Sequence, residues 1–190
     1  MSRIKTTEEL YQAMRLDGKE SVEDLEGAFA DIADALLNDF AISKGDKLYH
    51  FVELEFYHNL IDGTIVYPRK VDALQYFFHK SGMDLTFLSD EYMFGGILVR
   101  AIRCGNEFIN GPYKVVDTLF DVFDARKLPE SNYPIIVPKE EVSRITPVQS
   151  WRFHIESDKQ YRYSLPRELW IEHKGYQAYP WDYKGNLKKK

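Results

Sequence analysis

The 190-residue chain is predicted to fold as one α+β domain with mostly antiparallel strands flanked by helices. Helical periodicity dominates the first 40 residues, whereas strand-like alternation recurs further along the chain. The helical segments do not alternate regularly with the strands, which favours α+β over α/β. We divide the domain, 1–190, into an N-terminal helical region (1–40), a core (45–175) and a basic tail (182–190) that we expect to be frayed.

The composition is that of a globular domain with a large core. Hydrophobic residues make up 44% of the chain, charged residues 29% and aromatic residues 15%. The single cysteine, Cys104, excludes an intrachain disulfide and is typical of a small buried hydrophobe. No apolar signal segment follows Met1, and no run of about 18 apolar residues occurs. We therefore expect a cytoplasmic protein that does not enter the membrane.

The net charge of −5 is unevenly distributed. Residues 1–48 hold six basic and eleven acidic residues, whereas residues 139–190 hold eleven basic and seven acidic ones. An isoelectric point of 5.6 argues against strong non-specific binding of nucleic acid, although a local basic face remains compatible with it. The acidic N-terminal region is a candidate surface for a protein partner.

Two helices are predicted at the start of the chain. Residues 6–16 begin with a threonine cap followed by glutamates, and residues 21–40 begin with Ser21 and Asp24 in capping spacing. Apolar residues recur at helical intervals through the second segment. Gly45 and Asp46 then indicate a turn.

Several strands are predicted next. Residues 48–57 alternate with a period of two, and residues 83–88 and 97–102 are also typical of strands. Residues 73–79 are apolar and fit either a strand or a short helix. Gly111 and Pro112 indicate the start of a helix, which is predicted over 113–124.

The remaining chain is predicted to contain a loop and further strands. Three prolines indicate a loop over residues 127–141. Strands are expected around residues 142–148, 151–156 and 160–171.

Glu53, Glu55 and Tyr57 form the first candidate site. A period of two places them on one strand face, with alternate residues about 7 Å apart. Paired carboxylates among aromatic residues raise one pKa, which suits a general acid or base. The alternative is a solvated face, or pairs with Arg or Lys on neighbouring strands.

The segment from His79 to Asp84 is a second candidate, because Gly82 lies between two titratable side chains. The alternative is a turn in which His79 and Asp84 cap backbone groups. A metal site would draw on Glu53, Glu55, His58, His79 and Asp84. No short ligand spacing supports such a site, and no glycine-rich phosphate loop is present.

An ordered set of segments resembles the alkyladenine (3-methyladenine) DNA glycosylase family. VELEFY at 52–57 is similar to the family's VETEAY strand, and GGILVRAIR at 95–103 to its AVLLRALEP strand. The other similar segments are FADIADALLNDF at 29–40, GPYK at 111–114, RITP at 144–147 and DKQYRYSLPRELW at 158–170. Their order and approximate spacing agree over about 140 residues.

The resemblance implies a glycosylase fold for the core and a pocket for a flipped base. Glu55 matches the glutamate that orients the attacking water, and Tyr57 matches the tyrosine that stacks on the base. Arg100 matches the arginine of the family's second strand. The resemblance also suggests the substrate-binding residues Glu53, Tyr57, His58, His79, Lys80, Asp84 and Arg100. No metal or organic cofactor is implied.

This sequence departs from the family where an aromatic wedge enters DNA, because Lys80 or Ser81 occupies that position. His58 and the pair Arg69-Lys70 are the stand-ins for the family's base-pocket segment. The expected function is hydrolysis of an N-glycosidic bond, with Glu55 as general base. The expected partner is DNA or RNA that is single-stranded, mismatched or damaged, or a nucleoside.

Two other functions remain open. A non-enzymatic module would keep the fold and bind nucleic acid or a protein without catalysis. A metal-dependent hydrolase would use the carboxylates and histidines of the two candidate clusters.

Overall fold

The computed structural model describes residues 4–121, 132–140, 143–153, 155 and 157–169. The predicted α+β class with a mostly antiparallel sheet is confirmed. The helices are α1 (Thr7–Met14), α2 (Val22–Asp39), α3 (Asn59–Asp62) and α4 (Pro112–Leu119). The strands are β1 (Phe40–Lys44), β2 (Lys47–His58), β3 (Tyr76–His79), β4 (Gly82–Thr86), β5 (Gly95–Cys104), β6 (Glu107–Asn110), β7 (Ile135–Pro138), β8 (Val148–Ser150) and β9 (Arg162–Ser164).

The first two helices begin where their capping residues predict. The Thr6 side chain accepts from the Glu9 amide, and the Glu9 carboxylate accepts from the Thr6 amide in return. The Ser21 side chain accepts from the Asp24 amide at the start of α2. Each cap satisfies backbone donors that the helix itself leaves without partners.

Strand β2 lies at the centre of the sheet. The strands run in the order β3-β4-β5-β2-β1-β7, and all the pairings between them are antiparallel. Since β2 has 12 residues, its first part pairs with β1 while Glu53–Glu55 pair with β9 along the same edge. On its other edge β2 pairs with β5, and the register shifts on either side of Glu53.

The core lies between α2 and the apolar face of β2. Phe29 of α2 is fully buried, and its ring lies 5.0 Å from that of Phe56 and 5.6 Å from that of Phe87. Val52, Leu54 and Phe56 of β2 are also fully buried. Burial of side chains of this size contributes about 1.5–3 kcal/mol each. The apolar face is thereby closed, and the polar residues of β2 lie on its other face.

Several predictions of secondary structure differ from the fold; one is the strand expected around 151–156, since residues 151–153 belong to no strand. The 127–141 segment, predicted as a loop, contains strand β7, which pairs with β1 at the sheet edge where Pro138 is tolerated. Residues 143–147 are not a strand, and pairing begins at Val148. Helix α4 ends at Leu119 because Phe120, with a ψ of 51°, leaves the helical conformation and packs on Tyr76.

Some predictions fall on parts of the chain that lie outside the described residues. These are residues 122–124 of the segment predicted to be helical and the basic tail at 182–190. Residues 73–79 were predicted as either a strand or a short helix, and they form strand β3 from Tyr76 to His79. Within the described ranges, no helix combines the length and apolar character needed to cross a membrane.

Candidate functional site

A row of paired residues across the sheet brings the two candidate clusters to one face. Glu55 on β2 lies opposite Leu98 on β5, Leu98 lies opposite Asp84 on β4, and Asp84 lies opposite Phe77 on β3. Residues directly opposite each other in antiparallel strands point to the same side of the sheet. Glu55 and Asp84 therefore share a face although 28 residues of chain separate them.

The two glutamates of β2 are both buried and are held by arginines. Arg100 Nε donates to Glu53 Oε1 at 3.1 Å, and Arg100 Nη1 donates to Glu55 Oε2 at 3.3 Å. Arg162 Nε lies 3.7 Å from Glu53 Oε1. Burial raises the pKa of Glu53, and the two arginines oppose that rise. One guanidinium, that of Arg100, thus bridges the two carboxylates.

The Glu55 carboxylate accepts hydrogen bonds on both oxygens. Its Oε1 accepts from the Phe153 amide at 2.6 Å, and its Oε2 accepts from the Tyr57 hydroxyl at 2.9 Å as well as from Arg100. The side chain is fully buried. Each carboxylate oxygen has two lone pairs, so Oε1 retains one acceptor position that the described residues leave open.

Tyr57 is held between Glu55 and a buried ion pair. The Arg152 guanidinium lies 4.7 Å from the centre of the Tyr57 ring and donates from both terminal nitrogens to Asp62, at 2.9 and 2.6 Å. Burial, with the negative charge of Glu55, raises the pKa of Tyr57 well above its ordinary value. The phenol is therefore a neutral donor, and its ring orientation is fixed.

A pocket of about 110 Å³ opens beside Tyr57. Pockets that hold drug-sized ligands are typically about 300–1,000 Å³, so this one admits little more than a single ring system. Its lining combines aromatic rings, aliphatic side chains and an ionic cluster. The lining residues are Tyr57, Ile65, Val66, Tyr67, Arg69, His79, Ser81, Asp84, Leu98 and Ile155.

The ionic cluster of the pocket consists of Arg69, His79 and Asp84. Arg69 Nη1 donates to Asp84 Oδ2 at 2.7 Å, and His79 Nε2 lies 2.9 Å from Asp84 Oδ1. His79 Nδ1 accepts from the Ser81 amide at 3.1 Å, so the Nε2 atom carries the proton and donates to Asp84. The Asp84 carboxylate is thus compensated by two donors.

Aromatic rings and a glycine shape the same cluster. The Tyr67 and His79 rings are 4.7 Å apart, and the Arg69 guanidinium lies 4.0 Å above the Phe77 ring. A Cβ atom at Gly96 would lie 3.0 Å from Asp84 Cβ and 3.2 Å from Arg69 Nη1. The absence of a side chain at Gly96 therefore leaves room for the Arg69–Asp84 pair.

The predicted site residues divide into three groups. Glu53, Glu55, Tyr57 and Arg100 form one hydrogen-bonded cluster, and His79 and Asp84 line the adjoining pocket with Tyr57. His58 and Lys80 join neither group.

The assignment of His58 to the substrate site is not supported by its position. Its neighbour Tyr57 points to the pocket, and the alternation of the strand directs His58 to the opposite side. There the ring is buried 6.2 Å from the Phe87 ring, and its Nδ1 accepts from the Leu60 amide at the start of α3. His58 therefore caps a helix. Lys80 is exposed in the turn between β3 and β4.

Sequence reasoning missed four residues that complete the site: Asp62, Arg152, Phe153 and Arg162. The last three lie about 100 residues after β2 along the chain, and no local spacing connects them with it. Tyr67 was also missed, whereas Arg69 lies in the segment that stands in for the family's base pocket. The one usable signal was the charge of the glutamate pair, which requires buried cations.

The carboxylates of the site are paired with arginines, and His79 is bonded to Asp84. Among the described residues, no group of three or more His, Cys, Asp or Glu side chains has an arrangement that could hold a metal ion. The site is therefore a small aromatic pocket that includes the Asp84 carboxylate, whose charge is compensated by Arg69 and His79.

Comparison of the chain with protein-family models, with curated proteins and with solved structures gave no match.

Proposed function

We propose that this protein binds a single nucleobase in the pocket beside Tyr57 and hydrolyses its N-glycosidic bond, with Glu55 as general base. One observation supports this proposal above the others. The ring of Tyr57 lines the pocket, and its hydroxyl donates to the fully buried Glu55 carboxylate. A planar ligand placed against Tyr57 thus has a carboxylate directly behind the wall on which it rests.

The pocket has the features that a base requires. The Tyr57 and Tyr67 side chains supply flat apolar surface, and stacking of a base on an aromatic side chain contributes about 1–3 kcal/mol. Arg69 uses its Nε and Nη1 atoms on Tyr67 O and Asp84, and within the described chain its Nη2 has no partner. Nη2 can therefore donate to an acceptor on the edge of a base.

The pocket volume limits the substrate to one base at a time. A base inside a duplex must be extruded before it fits, at a cost of a few kcal/mol that is smallest for damaged, mismatched or unpaired bases. In the family that the sequence resembles, an aromatic wedge assists extrusion, and Lys80 or Ser81 occupies that position in this sequence. Single-stranded nucleic acid, mismatched or damaged sites and free nucleosides are therefore the preferred substrates.

Hydrolysis would proceed by attack of water on the sugar carbon that carries the base. The water oxygen forms the new bond to that carbon, its proton passes to Glu55, and the base leaves with the electron pair of the broken bond. The open lone pair of Oε1 is the acceptor for that proton. Because Glu55 is fully buried, the Phe153 segment must move to admit the water.

The main alternative is a binding module without catalysis. The observation that favours it is that the Glu55 carboxylate is already held by three hydrogen bonds, from the Phe153 amide, the Tyr57 hydroxyl and Arg100. A carboxylate held this firmly has the properties of a structural group. Under this alternative the pocket still takes a base but releases it unchanged.

The deciding experiment compares Glu55→Gln with Glu53→Gln. Base release is measured by chromatography on single- and double-stranded oligonucleotides with alkylated or deaminated bases, and on free nucleosides. Loss of a general base typically lowers the rate about 10²–10⁴-fold, so Glu55→Gln should lose release while still binding. Glu53→Gln is the matched control, because it neutralises the neighbouring carboxylate on the same strand face, and it should retain most of the activity.

Three further outcomes separate the alternatives. Wild-type protein that binds these ligands, with binding weakened by Tyr67→Ala, but releases no base from any of them supports the binding module. If Glu53→Gln is inactive and Glu55→Gln is active, the assignment of the base to Glu55 is wrong. Absence of both binding and release contradicts the nucleobase pocket itself.

A further inference from the structure

A second polar cluster, formed by His50, Arg103 and Lys139, lies outside the pocket and shares no residue with it. His50 on β2 is directly opposite Arg103 on β5. Lys139 follows the end of β7, where its backbone amide donates to Asp39 O at 2.9 Å and its ammonium donates to Leu37 O at 3.0 Å. The three side chains belong to three different strand regions, so the fold itself brings these basic groups together.

Two nitrogens of this basic cluster are buried without a hydrogen-bond partner. These are His50 Nδ1 and Arg103 Nε, and both statements hold for the part of the chain that the structure describes. Each side chain as a whole is only partly buried, so the cluster is open to solvent on one side. A buried donor that lacks an acceptor costs about 1–3 kcal/mol, and an acceptor that binds here recovers that cost.

Among the described residues, no carboxylate forms an ion pair with the basic cluster. No ion pair within those ranges involves Arg103 or Lys139. The negative charge of Asp39 acts on Lys139, but Asp39 is bonded by Arg144 at 2.8 and 3.0 Å. The cluster therefore retains an excess of positive charge.

Mutual repulsion within the basic cluster has a measurable consequence. Burial, together with Arg103, lowers the pKa of Lys139 to about 8. Burial, together with Lys139 and Arg103, lowers the pKa of His50 to about 4. At neutral pH the cluster thus presents a guanidinium, an ammonium and a neutral imidazole. An anion would relieve the repulsion and raise both pKa values.

We propose that the basic cluster is a binding site for a phosphate group. The guanidinium of Arg103 presents several N–H donors in a planar fork that matches phosphate oxygens, and Lys139 adds a point charge. A neutral His50 contributes one further N–H donor. The mixture of fixed fork, flexible cation and neutral donor suits a tetrahedral oxyanion with several acceptor oxygens better than a planar carboxylate.

The test is a titration of the full chain with sodium phosphate at constant ionic strength. The His50 ring resonance is followed by NMR at pH 7.5, with assignment from His50→Gln, and the dissociation constant is measured by calorimetry. A saturable shift of His50 is expected. Arg103→Gln and Lys139→Met should each weaken binding by about 10- to 100-fold, the range of one lost charged hydrogen bond.

Lys114→Met is the matched control, because Lys114 is an exposed lysine on helix α4 that does not belong to the cluster. Its phosphate affinity should stay within about twofold of wild type. Circular dichroism checks folding of each variant. If Arg103→Gln does not fold, Lys139→Met decides the test, since its side chain lies at the end of an edge strand.

A short single-stranded oligonucleotide without a 5′ phosphate distinguishes the two sources of the group. Competition by this oligonucleotide supports a site that accepts phosphodiesters of nucleic acid, whereas binding of inorganic phosphate alone supports a site for free phosphate or monoesters. A His50 resonance that shows no saturable shift overturns the proposal. Phosphate affinity that is unchanged in the folded Arg103 and Lys139 variants overturns it as well.

Discussion

At the scale of single residues, the site is dominated by charges that are buried in pairs. Glu53 and Glu55 are taken out of water by the sheet, and Arg100 reaches both of them with one guanidinium. Such an arrangement is strongly sensitive to the loss of one partner, because the remaining charge stays buried without compensation. The same burial holds Glu55 behind Tyr57, which lines the pocket and donates to its carboxylate.

Arg100→Met should therefore destabilise the protein by about 3–5 kcal/mol, the usual cost of removing one partner from a buried ion pair. Urea unfolding measures the effect. Lys70→Met is the control, because the exposed Lys70–Glu91 pair at 3.7 Å should contribute less than about 1 kcal/mol. Adding Glu53→Gln to Arg100→Met should restore part of the loss. A single variant as stable as wild type would show that the charges of this cluster are not mutually dependent.

His50 makes stability depend on pH in a defined window. Its pKa is lowered in the folded protein from 6.5 to about 4, so the unfolded chain binds more protons between these values. The stability that neutral His50 contributes is therefore fully present above pH 6.5 and is lost as the pH falls towards 4. Urea unfolding at several pH values should show a smaller loss for His50→Gln than for wild type. Parallel curves for the two proteins would contradict this assignment.

The residue-level site was predictable only where its members are close in sequence. The period of two placed Glu53, Glu55 and Tyr57 on one face, and the glycine between His79 and Asp84 marked their hairpin. Arg100 followed from the resemblance. Arg152 and Arg162 did not, because contacts over such sequence separations are created by the fold and leave no local pattern.

At the scale of elements, glycines in the strands decide how closely the side chains of neighbouring strands approach. Gly96 on β5 lies opposite Tyr57 on β2 and Thr86 on β4. Because Gly96 has no side chain, the Arg69 guanidinium can lie against the sheet at this position. Gly27 on α2 is different, since a Cβ added there would have no neighbour within 4 Å.

Two glycine substitutions should therefore act in opposite directions. Gly96→Ala places a Cβ 2.9 Å from Leu85 O and close to Arg69 and Asp84, so it should lower stability and weaken ligand binding in the pocket. Gly27→Ala should raise stability by roughly 0.5–1 kcal/mol, because alanine favours the helix interior. Thermal unfolding of both variants checks the pair. Equal shifts in the same direction would contradict the close packing inferred at Gly96.

The long elements and several of the short ones were predictable, whereas strands β1 and β7 were not. Strand β2 and helix α2 have enough residues for their periodicity to be read from sequence. Strand β1 follows α2 without a glycine or proline, so no local signal marks the change from helix to strand at Phe40. Strand β7 has four residues, and its pairing with β1 overrides the proline-rich character of its surroundings.

At the scale of the whole molecule, charge limits how the proposed nucleic-acid ligand would be bound. The net charge is −5, so any contact must depend on local cations. Arg69 is unavailable for phosphate contacts, because it is buried and pairs with Asp84. Lys70 and Lys80 are exposed beside it in the chain and in the neighbouring hairpin.

Binding of single-stranded oligonucleotides should therefore be weak and strongly dependent on salt. Each phosphate contact adds about 0.7 to the slope of log affinity against log salt concentration. Lys70→Ala and Lys80→Ala should each lower that slope, while the preference among bases stays unchanged. Fluorescence anisotropy over a salt series measures both quantities. Tight binding that is insensitive to salt would contradict this view.

The distance along the chain between β2 and its late partners has a consequence for biosynthesis. The ribosome completes Glu53 and Glu55 about 100 residues before the Phe153 amide and the Arg162 side chain exist. Until then the two carboxylates lack these partners, and β2 has no β9 to pair with along Glu53–Glu55. Nascent chains stalled at about residue 140 should consequently be cut by proteases within β2, whereas completed chains should resist. The pocket beside Tyr57, whose lining includes Ile155, would then form only after this late segment has been synthesised.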